Sequence, residues 1–185
     1  MLFKIAKEID NNTIVIAPSE SSSLIGGLYS YYTPKYYKNP QGIVMDGTPV
    51  DCIRFGIKKY NPDLILTGIN RGINCGKTML ESSGTFCSAK YGSKNGIKSL
   101  AISLDNKTNM NYEDIKKIIF KTLKYKFNLG NLNIVNNELI LTQIGNNSKK
   151  KIYADISYDT KIDYLNGTDL NIVLNERKSS LSIID

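Results

Sequence analysis

The chain has 185 residues, a net charge of +7, 41% apolar and 22% charged residues, and no histidine. A chain of this length is about one domain and buries a core without disulfides or a structural metal. The missing histidine excludes a Ser-His-Asp hydrolase, phosphohistidine chemistry and any His-built metal site. No apolar stretch reaches the length of a bilayer span, and the opening Met1 to Glu8 has no signal-peptide core, so a cytoplasmic protein without a membrane partner is expected.

The elements follow in chain order. Leu2, Ile5, Ala6 and Ile9 share one helical face. Thr13 to Ala17 is a β-branched strand ended by Pro18 and the serines that follow. Ser30 to Asn39 is Tyr-rich and irregular, with the character of a hairpin arm, and Gly42 to Met45 is a short strand. Thr48 caps the next helix, with Pro49 in its first turn and Asp51 three residues after the cap. Pro62-Asp63 breaks that helix, and Leu64 to Thr67 is a strand apolar on both faces. A loop is predicted from Gly68 to Ser82, a helix from Ser83 to Tyr91, a buried strand over Leu100–Leu104 and a helix over Tyr112–Tyr125. After Gly130, Asn-rich turns separate short strands near 132–135, 139–144, 152–156 and 180–184. The alternation predicts one α/β domain over 1–185, with a parallel core (1–130) and a small antiparallel annex (131–185).

The charge does not point to nucleic acid. Lysines outnumber arginines 21 to 3 and are spread along the chain, apart from the run Lys149-Lys150-Lys151. Base and phosphate readers lean on the bidentate arginine fork. Cys52, Cys75 and Cys87 form no C-x-x-C pair and read as small apolar fillers.

In open α/β sheets ligands bind beyond the carboxyl ends of the strands. Three segments follow such ends: the hydroxyl cluster Ser19 to Ser23, the loop from Gly68 through Asn70, Gly72 and Asn74 to Gly76, and Ser83-Gly84-Thr85. Glycines let backbone approach a ligand, and a helix N-terminus offers free N–H groups to an anion. The residues alone point to a phosphate-binding α/β domain, beside the plainer reading that they build loops and a helix cap.

Three blocks carry a resemblance: Gly47-Thr48-Pro49-Val50-Asp51-Cys52, then Pro62 through Thr67-Gly68-Ile69-Asn70-Arg71-Gly72-Ile73-Asn74-Cys75-Gly76, then Ser83-Gly84-Thr85. In order and spacing they resemble the SurE (stationary-phase survival protein) family of 5′/3′-nucleotidases. Ala17-Pro18 through Ser23 and Gly167-Thr168-Asp169 resemble further segments of the same pattern. The resemblance implies a Rossmann-like three-layer sandwich and a phosphomonoesterase acting on nucleoside monophosphates, with one Mg²⁺ or Mn²⁺ per subunit. It also implies a homodimer or homotetramer. It assigns Ser23 and Asn70 to the metal, and Gly68, Asn70, Gly72, Asn74, Ser83, Gly84 and Thr85 to the phosphate pocket. Asn70, Ser83 and Thr85 are the expected catalytic positions.

The 185 residues contain no N-D-D-G, the family's Asp-Asp metal motif on its first strand. Leu24 stands where a glycine follows the ligand serine, and Ser82 where a tyrosine precedes S-G-T. Two neutral ligands hold a hard divalent ion weakly, so slow or absent catalysis is expected. The alternatives are a non-catalytic nucleotide- or phosphate-binding relic and, last, a basic RNA- or protein-interaction module. A missing first strand also predicts an open groove beside the Thr13 strand, with Leu2, Ile5 and Ala6 poorly covered.

Overall fold

The computed structural model describes residues 1–144 and 166–184. The expected strand at 152–156 and the run Lys149–Lys151 lie outside the described residues. The strands form two sheets. The smaller has the order β1-β3-β2, from Ile16–Pro18 (β1), Tyr36–Asn39 (β2) and Gly42–Met45 (β3). The larger has the order β4-β5-β6-β8-β7, from Leu64–Arg71 (β4), Lys98–Leu104 (β5), Leu129–Ile134 (β6), Leu139–Thr142 (β7) and Ser179–Ile184 (β8). β1 pairs parallel with β3, and β2–β3 is the hairpin expected of the Tyr-rich arm. β4, β5 and β6 are parallel neighbours. In the C-terminal third, β6–β8 is the antiparallel pair, while β7 runs parallel to β8. These strands extend the main sheet.

Among the described residues five α-helices cover the sheets: Leu2–Ile9 (α1), Pro49–Tyr60 (α2), Lys77–Ser82 (α3), Gly84–Lys94 (α4) and Tyr112–Leu123 (α5). On one face, Ile115, Ile118 and Ile119 of α5 and Ile5 of α1 pack on Leu100, Ile102, Leu132 and Ile134. On the other, Leu80, Phe86 and Ala89 of α3 and α4 pack on Ala101 and Leu129. The alternation along β5 and β6 therefore feeds two cores, the pattern of a sheet covered on both sides.

The Thr48 signal holds in full. Thr48 Oγ1 accepts from the Asp51 amide, and the Asp51 carboxylate accepts from the Thr48 amide at 3.0 Å, a complete capping box with Pro49 behind it. Asn61 in the left-handed region ends the helix at the start of Pro62-Asp63.

Two expectations are corrected. The segment from Gly68 to Ser82 is not all loop: β4 continues to Arg71, and α3 follows Gly76. Ile5 and Ala6 are not poorly covered; both are buried, because α1 lies across the larger sheet, with Ile5 in its core. The expected groove is present. β1 and β4 are not paired, and a cavity of about 860 Å³ runs between them.

Candidate functional site

The carboxyl ends of β1, β3 and β4 lie at one end of the molecule. α2 leaves the carboxyl end of β3 and returns to the start of β4, so β4 runs back alongside β3. Pro49, at the start of α2, packs on Gly84, at the start of α4; Pro49 Cγ would lie 3.3 Å from a Cβ there. Thr67 on β4 donates its hydroxyl to the Thr85 carbonyl at 2.8 Å. That bond seats the N-terminus of α4 against the end of β4.

At that helix start the Ser83 side chain accepts from the Phe86 amide at 3.1 Å, an ordinary N-cap. Its backbone N–H is engaged by the Leu80 carbonyl. Gly84 and Thr85 therefore present the first-turn N–H groups that a helix cannot satisfy internally. These groups and the helix dipole favour an anion.

β4 breaks register with β5 between Thr67 and Asn70. Gly68 makes that break possible. Its φ is +119°, and a Cβ there would sit 2.3 Å from the Ile102 carbonyl oxygen. Asn70 then re-enters the ladder opposite Ser103, and its side-chain amide donates to the Gly72 carbonyl at 2.7 Å. That bond fixes the amide and leaves the side-chain oxygen as an acceptor or metal donor.

Past Gly72 the loop is bonded to β5 and β6 and to Asp169. The Asn74 amide donates to Asn133 Oδ1 at 2.7 Å, and its carbonyl accepts from Asn131 and Asn133 at 2.8 Å each. Its side chain donates to Ser103 Oγ at 3.0 Å. The Asp169 carboxylate accepts from the Gly76 amide at 2.9 Å. Asn74 is thus held by residues of β5 and β6. Asn131, Asn133 and Ser103 escaped the sequence reading. Their signal was a pair of asparagines two apart in a strand buried on both faces, where apolar residues are the rule.

Ser23 lies, exposed, on the loop between β1 and β2. Ser23 is flanked by two ties, from the Ser19 amide to Met45 O (2.7 Å) and from the Gly26 amide to Ser82 O at the end of α3 (2.9 Å). The loop spans the same carboxyl end.

Asp51 is a structural carboxylate. Besides Thr48, it accepts from the Ser30 amide and hydroxyl, and it pairs with Arg54 at 3.2 Å. Burial pushes its carboxyl up, but the Thr48 and Ser30 donors outweigh burial and hold it below its ordinary value. It has no lone pair to spare for a metal. Burial, with the Asp169 charge behind it, pushes the Cys75 thiol up to about 12, so Cys75 is an unreactive filler. Among the described residues no three His, Cys, Asp or Glu side chains are grouped to hold a metal. Ser23 and Asn70 offer only a hydroxyl and an amide oxygen, a donor set that does not by itself fit a divalent cation.

Comparison with known proteins adds the family. The sequence model of "Survival protein SurE" matches residues 1–157. The 5′-nucleotidase SurE of Caldanaerobacter subterraneus is 33% identical over 80% of this chain, and that of Methanococcus maripaludis is 38% identical over 54%. The matched stretches span 65% and 41% of those relatives' own lengths. The crystal structure of the SurE protein from Aquifex aeolicus superposes with a TM-score of 0.74 at 27% identity, covering 97% of this chain and 84% of that one. No helix among the described residues is long and apolar enough to cross a membrane. With the family model matched over residues 1–157, the chain belongs to the SurE family.

Proposed function

We propose that the chain is the phosphate-binding part of a nucleotidase that cleaves nucleoside monophosphates to nucleoside and phosphate. The observation that supports this reading is the Thr67–Thr85 hydrogen bond, which holds the first turn of α4 against the end of β4, where Gly68 and Thr85 line one cavity. A phosphate there accepts from two backbone amides in the field of the α4 dipole. Ser23 approaches from the β1 loop and completes the pocket.

Hydrolysis needs more than this anion site. A phosphoryl group is activated by positive charge and by a generated nucleophile, and neutral side chains supply neither. The 185 residues therefore bind phosphate and turn over slowly or not at all, and added Mg²⁺ or Mn²⁺ helps little. We place the protein in the cytoplasm as a homodimer or homotetramer, on the likeness to its family.

Two measurements test the reading. Titration with adenosine monophosphate, followed by amide NMR, should move Gly68, Asn70, Gly84 and Thr85; no shift at those amides in millimolar nucleotide rejects the site. Extending the chain at its N-terminus with a strand bearing N-D-D-G should give metal-dependent phosphate release. In that extended protein Asn70→Ala should remove most of the activity. A folded, extended protein that binds nucleotide without cleaving it favours the binding relic.

A further inference from the structure

Three non-glycine residues among those described adopt the left-handed backbone: Leu24 (φ +59°), Asn61 (φ +44°) and Arg177 (φ +57°). Asn61 ends α2, a place that a short amide tolerates. Arg177 sets its guanidinium on Asp105. Leu24 does neither. Its side chain is 83% exposed, and Leu28, four residues on, is 67% exposed; they are the two most exposed leucines among the described residues. An apolar side chain left in water adds nothing to the fold, and the left-handed backbone beneath it costs stability that a glycine would not. Strain of this kind persists where the surroundings enforce it, and it concentrates at ligand contacts.

The surroundings here are the starts of two helices. The Leu28 amide donates to the Ile25 carbonyl at 3.3 Å and closes a turn over residues 25–28. Three contacts fasten that turn. The Gly26 amide donates to Ser82 O at 2.9 Å. The Thr48 hydroxyl, at the cap of α2, donates to the Leu28 carbonyl at 2.8 Å. Ile25 Cγ1 lies 3.7 Å from where a Cβ on Gly84 would sit, at the start of α4. Gly26 is set so close to the end of α3 that a Cβ would fall 2.8 Å from the Glu81 carbonyl oxygen.

Leu24 and Leu28 therefore flank a fixed turn that sits on the starts of α2 and α4. Leu24 is one residue from Ile25, a Cα–Cα step of about 3.8 Å. Neither leucine lines the cavity between β1 and β4, so their exposure is not that of the groove wall. The stretch 21–34 carries no charged side chain. The corner thus joins an apolar rim to the first-turn amides of Gly84 and Thr85, which favour an anion. Such a pair of surfaces fits a ligand with one anionic end and one flat, weakly polar end.

We propose that Leu24 and Leu28 are the base contact of this site: with the phosphate on the Gly84 and Thr85 amides, the heterocycle of a nucleotide lies against the two leucine side chains. The inference rests on the phosphate-binding reading and adds to it the part of the substrate that the chain selects. Apolar contact reads ring area and offers no hydrogen-bond partner, so it favours a nucleotide over a sugar phosphate without separating adenine from guanine.

The test is calorimetry on the full chain with adenosine monophosphate, guanosine monophosphate and ribose 5-phosphate. The wild type should bind adenosine monophosphate about tenfold tighter than ribose 5-phosphate, with guanosine monophosphate within about threefold of adenosine monophosphate. Leu24→Ala with Leu28→Ala should cut the tenfold gain to about twofold and leave ribose 5-phosphate where it was, while Leu24→Met should keep most of the gain. The methyl NMR signals of Leu24 and Leu28 should move upfield with adenosine monophosphate, through the ring current of the base, and stay in place with ribose 5-phosphate. Leu24→Gly removes the strain together with the side chain, so it should melt a few degrees higher and still lose base affinity; a leucine kept for the fold would give a lower melting point. Ribose 5-phosphate binding as tightly as adenosine monophosphate overturns the base contact and leaves the phosphate site standing. So do leucine methyls that stay in place in nucleotide-saturated protein. A protein shown folded by circular dichroism that binds none of the three ligands rejects the phosphate site, and the base contact falls with it.

Discussion

The two sheets of this protein are made by different means. In the larger, β5 and β6 are paired on both edges and covered on both faces, and Leu100, Ile102, Leu132 and Ile134 are almost wholly buried. In the smaller, β2 is exposed along its whole length, β1 is three residues long and half-buried, and the core is Ile43, Met45 and Cys52 with partly buried neighbours. The smaller sheet is held in place chiefly by α2 and by the polar clip around Asp51. Burial of apolar area carries the first region, and hydrogen bonds to one charged group carry much of the second. The contrast predicts where the molecule opens first. Amides of β3 should exchange through a local opening well below the global unfolding free energy, while those of Leu100 and Ile102 report global unfolding.

The largest effect is expected where the larger sheet tolerates no added atom. Gly68→Ala puts a methyl 2.3 Å from the Ile102 carbonyl in a backbone conformation that L residues avoid. The β4–β5 ladder must part, at a cost of about 3 kcal/mol or more. Gly96→Ala is the control. Its φ is +81°, but nothing lies within 4 Å, so it should cost only the left-handed penalty of about 1 kcal/mol. Urea midpoints of the two variants that fall together would show that conformation, not contact, is what Gly68 is for.

The second effect belongs to the smaller sheet. Asp51→Asn keeps the shape but loses the charge that draws in Ser30, Thr48 and Arg54, and should cost about 2 kcal/mol. Exchange in β3 should accelerate more than exchange in β5. The same group sets a pH dependence. Its folded pKa is depressed, so its contribution is complete above the ordinary carboxyl range, near pH 4, and is lost as pH falls through the folded value. The wild type should lose stability below about pH 4 more steeply than Asp51→Asn. Parallel acid-denaturation curves would remove Asp51 as the clip.

Much of this was legible in the sequence because the signals were local. The Thr48-Pro49-Asp51 cap, the apolar face of Tyr112 to Leu123 and the doubly apolar strands at Leu64 and Leu100 need no distant partner to be read. Local signals failed where tertiary pairing overrides them. β4 runs past Gly68 to Arg71 because Asn70 finds Ser103 on the next strand, and no pattern within the segment announces that. α3 is six residues, too short for a periodicity to show. The candidate site divides in the same way. Ser83-Gly84-Thr85 was visible as a helix start, whereas the hold of Asn131 and Asn133 on Asn74 spans more than fifty residues.

The smallest expected effect lies between the two regions, where β4 turns its free edge to the groove. Thr67→Val is nearly isosteric and removes one hydrogen bond, from the Thr67 hydroxyl to the Thr85 carbonyl. Thr67 is buried, so part of the loss is offset by the added apolar methyl, and the net cost should be about 1 kcal/mol. Its consequence for the site should exceed that figure's share of the fold. The bond ties the end of β4 to the first turn of α4, so its loss should let the Gly84 and Thr85 amides drift from Gly68. Phosphate affinity should therefore fall by more than the stability change alone explains, because a folded variant still has every ligand but no longer holds them in one place. A Thr67→Val protein that unfolds slightly earlier yet binds adenosine monophosphate as tightly as the wild type would show that α4 is seated by its apolar contacts alone. Thr67→Ser separates the two terms: it keeps the hydroxyl and loses the methyl, and should restore binding without restoring stability.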